Sequence, residues 1–382
     1  MGTVALRMLF GDPGKYLGLV FGIAFATLLM AQQAGLFIGI IGRTVSQIVD
    51  VREADMWVMD PRVKYSDVNE PMTDTQLYRV RSVEGVAWAL PFLRNMGTVR
   101  SPDGILEQIL LIGVDDATLA GVPPKFVLGD LDALRAPDAI AIDKSGFMRL
   151  WPDAPLDLGR EVEINDRRVR VAAIVDASAP FATSPVIFAR YSLALNLAAQ
   201  RRSQLSYVIA RAAAGHDAAE VAARIAAETG LQATTSAGFA RMTVLYFLRN
   251  TGIPINFGIT IALGFIVGAA IVGQTFFLFV VENLKQFGAL KAIGVGNLAI
   301  LRMVLLQAGV AAVTGYSLGI GMAAAFFHFV PRANDALRGL VLPWEVAAGV
   351  AAAVLAIIAV ASFASVRRVL VVDPALVFRG CA

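Results

Sequence analysis

Between Lys15 and Arg43 the chain runs through residues 16–42 without one charged side chain. A helix needs about 20 mostly apolar residues to cross the hydrocarbon core of a bilayer, so this run can span with some tilt. Comparable runs occupy residues 253–281, the stretch after Arg302 to Val330, and residues 344–364, the last with a single charge, Glu345, at its start. The first run is much longer than the roughly 7–15 apolar residues of a secretory signal, and it reads as an uncleaved span. Composition agrees. The chain is 57% hydrophobic and 16% charged, whereas soluble domains run near half apolar and about a quarter charged. The expected fold is therefore membrane α-helical, with four transmembrane helices at 16–42, 253–281, 298–330 and 344–364. A large α+β domain, 43–252, lies between the first two, with an N-terminal segment 1–15 and a tail 365–382.

The short flanks orient these spans. One set of connections holds Arg7, Lys15, Lys285, Lys291, Arg302, Arg367, Arg368 and Arg379, while the loop 331–343 holds only Arg332 and Arg338. The basic side faces the cytoplasm by the positive-inside rule, which puts both termini inside and 43–252 outside. The net charge of +3 belongs to these flanks, because 43–252 carries 23 Lys/Arg against 25 Asp/Glu. Nothing in that distribution points to nucleic acid.

The 43–252 segment has the signals of a folded domain. Thr73 and Gln76 have the spacing of a capping box, predicting a helix that ends near Gly85. Residues 85–93 and 105–115 read as buried strands, and 160–175 alternates around Asn165-Asp166 as a hairpin would. Residues 204–211 resemble a strand, followed by a helix from Asp217 to Thr229 that Gly230 stops.

Catalytic chemistry finds little footing. The two histidines, His216 and His328, have no partners at metal-ligand spacing and read as structural, so no metal is expected. The stretch around Gly14-Lys15 misses the phosphate-loop pattern, with Leu9 and Tyr16 where glycine and Ser/Thr are required. Asp115-Asp116 reads as a solvated turn. The single cysteine, Cys381, can form neither an intrachain disulfide nor a cysteine metal site. The chain reads as no enzyme by itself.

The spans carry three small-residue pairs, Gly35/Gly39, Gly264/Gly268 and Gly315/Gly319, each four apart on one helix face. Such pairs let backbones approach, within one chain or between two subunits. Gln32, Gln33, Gln274 and Gln307 lie inside the spans. An amide in lipid is unfavourable unless paired, so these should face protein or a wet seam, serving either helix–helix hydrogen bonds or a substrate path.

One charged stretch, 282–297, separates the second and third spans. Leu284, Phe287, Leu290 and Ile293 recur every three residues, which sweeps around a helix instead of marking a stripe. Physical reasoning leaves it as either a docking surface or a loop whose lysines obey the positive-inside rule.

The order of one span, a large external domain and three spans resembles the FtsX/MacB-type permeases of ABC transporters. Within it, 282–310 is similar to their charged elbow with Leu-Lys-Ala-Ile-Gly. Residues 54–61, 251–260 and 371–380 are similar to the DevC-like branch. The resemblance implies a homodimeric permease in the bacterial inner membrane, surrounded by membrane lipids. Its elbow docks on a separate ATPase subunit, which holds the ATP and Mg; this chain binds no cofactor of its own. Closure of that subunit would be transmitted along the helices to the periplasmic domain, an export mechanism termed mechanotransmission. A membrane-fusion adaptor and an outer-membrane TolC-like channel would complete the system. The elbow residues implicated are Glu282, Leu284, Lys285, Gln286, Phe287, Leu290, Lys291, Ala292 and Gly294. Relatives usually carry glutamate where this chain has Gln286, so a neutral hydrogen bond or another pairing would replace an ion pair there. The alternatives are an FtsX-like signalling subunit that activates a periplasmic cell-wall hydrolase, and a membrane-anchored periplasmic enzyme.

Overall fold

A computed structural model describes residues 2–101, 103–181, 185–198, 205–334 and 337–371, with side chains through Ser362. The chain begins with α1 (Gly2–Gly11), α2 (Pro13–Arg43) and α3 (Ser46–Asp50). Then come β1 (Met56–Met59), α4 (Thr75–Arg81), β2 (Val86–Arg100), β3 (Leu106–Val114), β4 (Phe126–Leu128) and β5 (Ala139–Asp143). They are followed by α5 (Lys144–Leu150), β6 (Glu161–Ile164), β7 (Arg167–Val175), β8 (Val186–Arg190), α6 (Tyr191–Leu197) and β9 (Tyr207–Ala212). Next are α7 (Ala218–Thr229), β10 (Gln232–Thr235) and α8 (Ser236–Asn250). Last come α9 (Ile253–Glu282), α10 (Leu284–Ala292), α11 (Asn297–Ala333) and α12 (Trp344–Val371). These divide into two compact units, residues 40–251 and the remainder.

In the helical unit, α2, α9, α11 and α12 are each long and apolar enough to cross a membrane, the four such helices among the described residues. The 37 residues of α11 rise about 55 Å at 1.5 Å each, well beyond a hydrocarbon core of about 30 Å. Pro331 is tolerated in its last turn, and Pro254 sits in the first turn of α9, where a missing N–H costs nothing. Leu19, Ile23, Phe276, Phe279, Val304, Val354 and Ile357 fill the bundle core. Sequence reasoning did not expect α1, which is too short to span. It buries Ala5 and Leu9, and the Ala5 carbonyl accepts a 2.9 Å hydrogen bond from Gln307 Nε2 of α11.

In the α+β unit the strands form one mixed sheet in the order β10-β1-β9-β2-β3-β8-β5-β7-β4, with β6 pairing β2 and β7. The long strand β2 serves two halves: Val86–Phe92 pair with β9, and Leu93–Arg100 with β3. Trp57 of β1 anchors one core, its ring 5.2 Å from Phe92 and 5.5 Å from both Tyr207 and Phe239. Tyr207 donates to the Ser66 and Val68 carbonyls at 2.9 Å, and burial pushes its phenol well above the usual range.

The β6–β7 hairpin turns through Asn165 and Asp166, at φ 45° and 65°, the pair of left-handed residues a tight two-residue hairpin requires. Asn165 pins the turn, accepting from Thr98 N at 3.0 Å and donating to Leu197 O at 2.6 Å. Asp217 caps α7 by accepting from Glu220 N, and Gly230 ends it at φ 71°. The capping box at Thr73 does not form. Thr73 Oγ1 bonds Thr75 Oγ1, α4 starts at Thr75, and Asp74 makes no side-chain cap. That helix ends at Arg81, because Gly85 at φ 90° is already in the turn that starts β2.

Candidate functional site

The charged stretch between α9 and α11 is a helix, α10, joined at both ends by tight breaks. Asn283 closes one helix and opens the next. Its backbone N and its Nδ2 both donate to Phe279 O, at 3.2 and 2.7 Å, and its carbonyl accepts from Phe287 N at 3.0 Å. At the other end Gly294 N donates to Lys291 O and Val295 N to Leu290 O, both at 3.0 Å. This is a Schellman cap. It needs the left-handed backbone that Gly294 supplies at φ 94°. Leu290 and Val295, the two positions that usually touch across such a cap, both pack on the bundle core.

Three-residue spacing retreats about 60° per step on a helix with 3.6 residues per turn. Over nine residues that drift still leaves one buried face. Phe287 is its centre at 1% exposure, Leu284 and Leu290 flank it half-buried, and Ile293 has rotated off at 78% exposure. Lys285, Gln286, Ala289, Ala292 and Gly294 share the exposed side, and Lys291 is half-buried. The elbow residues inferred from sequence thus divide into anchors and a presented surface. Sequence reasoning passed over Asn283, whose side chain does not cap α10 but donates back to the last turn of α9.

Glu282, the last residue of α9, pairs with Lys15 near the start of α2. Lys15 also holds Asp12 at 2.5 Å, and that hydrogen bond keeps the Asp12 carboxyl below its usual range.

All six singled-out glycines face neighbours within the same chain. A Cβ on Gly35 would lie 2.5 Å from Phe327, one on Gly39 2.3 Å from Leu340, and one on Gly268 2.4 Å from Ala26. At Gly315 it would meet Ile23 at 2.6 Å, and at Gly319 the Ala24 carbonyl oxygen at 2.4 Å. Gly264 has ordinary contact with Leu29 and Met30 at 3.5 Å. A further seam, Gly18/Gly22, sits at the same four-residue spacing, with Ile271 2.7 Å from a Cβ on Gly22.

Comparison with known families assigns both parts of the chain. Residues 16–228 match the family model for the MacB-like periplasmic core domain, and residues 258–374 match that for the FtsX-like permease C-terminal region. The chain belongs to the MacB/FtsX-like permease family. Two uncharacterized ABC transporter permeases of Mycobacterium tuberculosis are each 26% identical to this permease. One aligns over 311 residues and the other over 316, each covering 81% of this chain and 80% of the relative. Among solved structures, the periplasmic region of MacB from Actinobacillus actinomycetemcomitans aligns at 14% identity and TM-score 0.39, over 53% of this chain and 96% of that one. The extracellular domain of the noncanonic ABC-type transporter YknZ from Gram-positive bacteria aligns at 14% identity and TM-score 0.36, over 48% and 98%. The molecule is an ABC transporter permease and a multi-pass membrane protein.

The four intramembrane amides of this permease are used differently. Gln307 is fully buried, its Nε2 on Ala5 O and its Oε1 without a partner. Gln32 and Gln33 are half-buried. Gln274 lies on an exposed face of α9. Of the positions similar to the DevC-like branch, 54–61 covers β1 and 251–260 opens α9. Within 371–380, everything beyond Val371 lies outside the described residues, as do Arg379 and Cys381.

Proposed function

We propose that this permease is the membrane subunit of an ABC exporter whose α10 docks on a separate ATPase subunit in the cytoplasm. The carrying observation is the division of α10 into two faces. Phe287 roots the helix in the bundle, while Ile293, Gln286, Lys285 and Ala289 are presented outward at the end of two long helices. A large apolar residue exposed on a charged elbow is what a protein partner buries at the centre of an interface. Movement of α10 would reach the bundle through Phe287 and Asn283, and through Glu282 to Lys15 at the start of α2. Both termini would lie in the cytoplasm and 40–251 in the periplasm, working as a homodimer with an adaptor and a TolC-like duct, as in DevC-like systems. The ATPase would hold the nucleotide and Mg. Gln286 would give the partner a neutral hydrogen bond.

The test is ATPase stimulation in a reconstituted complex. Ile293→Glu places a charge where an apolar contact forms, costing about 2 kcal/mol or more, roughly a 30-fold loss of affinity. Membrane insertion should be unchanged and stimulation lost. Stimulation equal to wild type in both Ile293→Glu and Gln286→Ala refutes the docking role.

A further inference from the structure

The chain of the α+β unit meets the spans at two places. It arrives from α2 through Thr44 and Val45 into α3, and it leaves along α8 through Thr251 and Gly252 into α9. Helix α8 buries Phe239, Thr243 and Phe247, four residues apart and on one face, so a hydroxyl sits in the middle of an apolar stripe. Thr44 and Ser66 are buried as well. A buried hydroxyl is costly unless it is hydrogen-bonded, so each of these positions needs a partner.

Ser66 joins them. Its Oγ donates to Thr44 O at 2.9 Å, its N donates to Thr243 Oγ1 at 3.2 Å, and its carbonyl accepts from Tyr207 Oη at 2.9 Å. One residue therefore holds the break after α2, the middle of α8 and the interior strand β9. Beside it Tyr65 stacks on Tyr246 at 4.0 Å and meets Phe247 edge-on at 5.5 Å, which seats the same loop against α8. Apolar contacts are non-directional and let packed helices slide, whereas a hydrogen bond fixes a length and an angle.

We infer that Ser66 is a positioning residue that locks both span-bearing segments to the sheet. Displacement at α8 reaches the α2–α3 break, and displacement at that break reaches α8, through its hydrogen bonds. Its use in transport rests on the proposed passage of motion from the ATPase to this unit. The lock itself forms within one chain and needs no nucleotide, so it stands or falls separately from α10 docking.

Hydrogen exchange of the full chain in nanodiscs reads the lock at α3, through the Ile48 and Val49 amides, which both donate to Val45 O. Ser66→Ala keeps the N–H and loses the bond to Thr44 O, and it should speed these amides about tenfold. Thr243→Val keeps the shape of the side chain and removes the acceptor for Ser66 N. Although it lies on α8, it should speed the α3 amides about fivefold. Added to Ser66→Ala it should bring no further acceleration, because the route between the two segments is already cut. Amides of β5 and β8 should keep their wild-type rates in all three variants. Wild-type exchange at α3 in either single variant overturns the assignment. So does an equal acceleration by Thr243→Val with and without Ser66→Ala, which would mean that direct packing of α3 on α8 carries the coupling. Acceleration of β5 and β8 as large as that of α3 also overturns it.

Discussion

The two units differ in what meets at the centre of their cores. In the α+β unit the core is built from large side chains meeting edge to face, with Trp57, Phe92, Tyr207 and Phe239 closing on one another. In the helical unit the closest approaches occur where side chains are missing, at Gly22, Gly35, Gly39, Gly268, Gly315 and Gly319. The difference follows from the solvent. Water drives large apolar groups inward, whereas lipid offers them as good an environment as protein does, so helices associate through close backbone packing. Truncation of these aromatics should injure the first unit, and enlargement of these glycines the second.

The largest effect is expected from Trp57→Ala. Removing a fully buried tryptophan costs about 3–5 kcal/mol. Amides of β1 and β9 should lose hydrogen-exchange protection by that amount, and the unit's melting temperature should fall by about 10 °C. Loss of less than 1 kcal/mol there would refute the aromatic core.

Next is Gly319→Ala, whose Cβ would fall 2.4 Å from the Ala24 carbonyl oxygen, a backbone atom with no rotamer to yield. Overpacking of this kind costs about 1–3 kcal/mol, read as lost resistance to denaturing detergent. Gly264→Ala is its control. With its nearest neighbour at an ordinary 3.5 Å and a helix propensity gain of about 1 kcal/mol, it should be neutral or mildly stabilising. Equal damage from the two substitutions would mean that close approach does not hold the bundle.

Gly294→Ala is smaller, about 1 kcal/mol, because alanine is strained at φ 94°. Its signature is fraying of the last turn of α10 in hydrogen exchange, with the spans unaffected. A last turn as protected as wild type would deny the cap its role.

Smallest is a pH effect at Asp50. Burial raises its carboxyl, against the lowering effect of hydrogen bonds from Ser178 N and Oγ at 2.8 and 2.6 Å. The folded state then holds more protons than the unfolded one, so this group's contribution falls as pH rises from the ordinary carboxylate range through its raised value. Asp50→Asn should flatten that part of the urea-midpoint profile. A profile parallel to wild type would contradict the sign.

The spans were legible because a bilayer imposes a length that charge-free runs reveal directly. The Asn165-Asp166 hairpin and α7 were legible because their turn and cap chemistry is local. Helix α1 was not, since a ten-residue segment that includes Arg7 satisfies no span rule and acquires meaning only from α11 and Gln307. The Thr73 box failed because the two threonine hydroxyls bond each other, which spacing does not reveal. At the elbow, three-residue spacing looked like a sweep because the pattern was followed through Ile293. The helix stops at Ala292, so three positions share a face and the fourth becomes the exposed residue. Where Gln274 sits could not be read from sequence, since polarity identifies an amide but not the side of the helix it takes.

The most direct test of the account places a photocrosslinking amino acid at single positions of α10 in the complete transporter complex. Docking through the exposed face predicts crosslinks to the ATPase subunit from positions 286 and 293 and none from 287, which lies in the bundle core. Crosslinks from 287 equal to those from 293, or none from 293 in an intact complex, would contradict it.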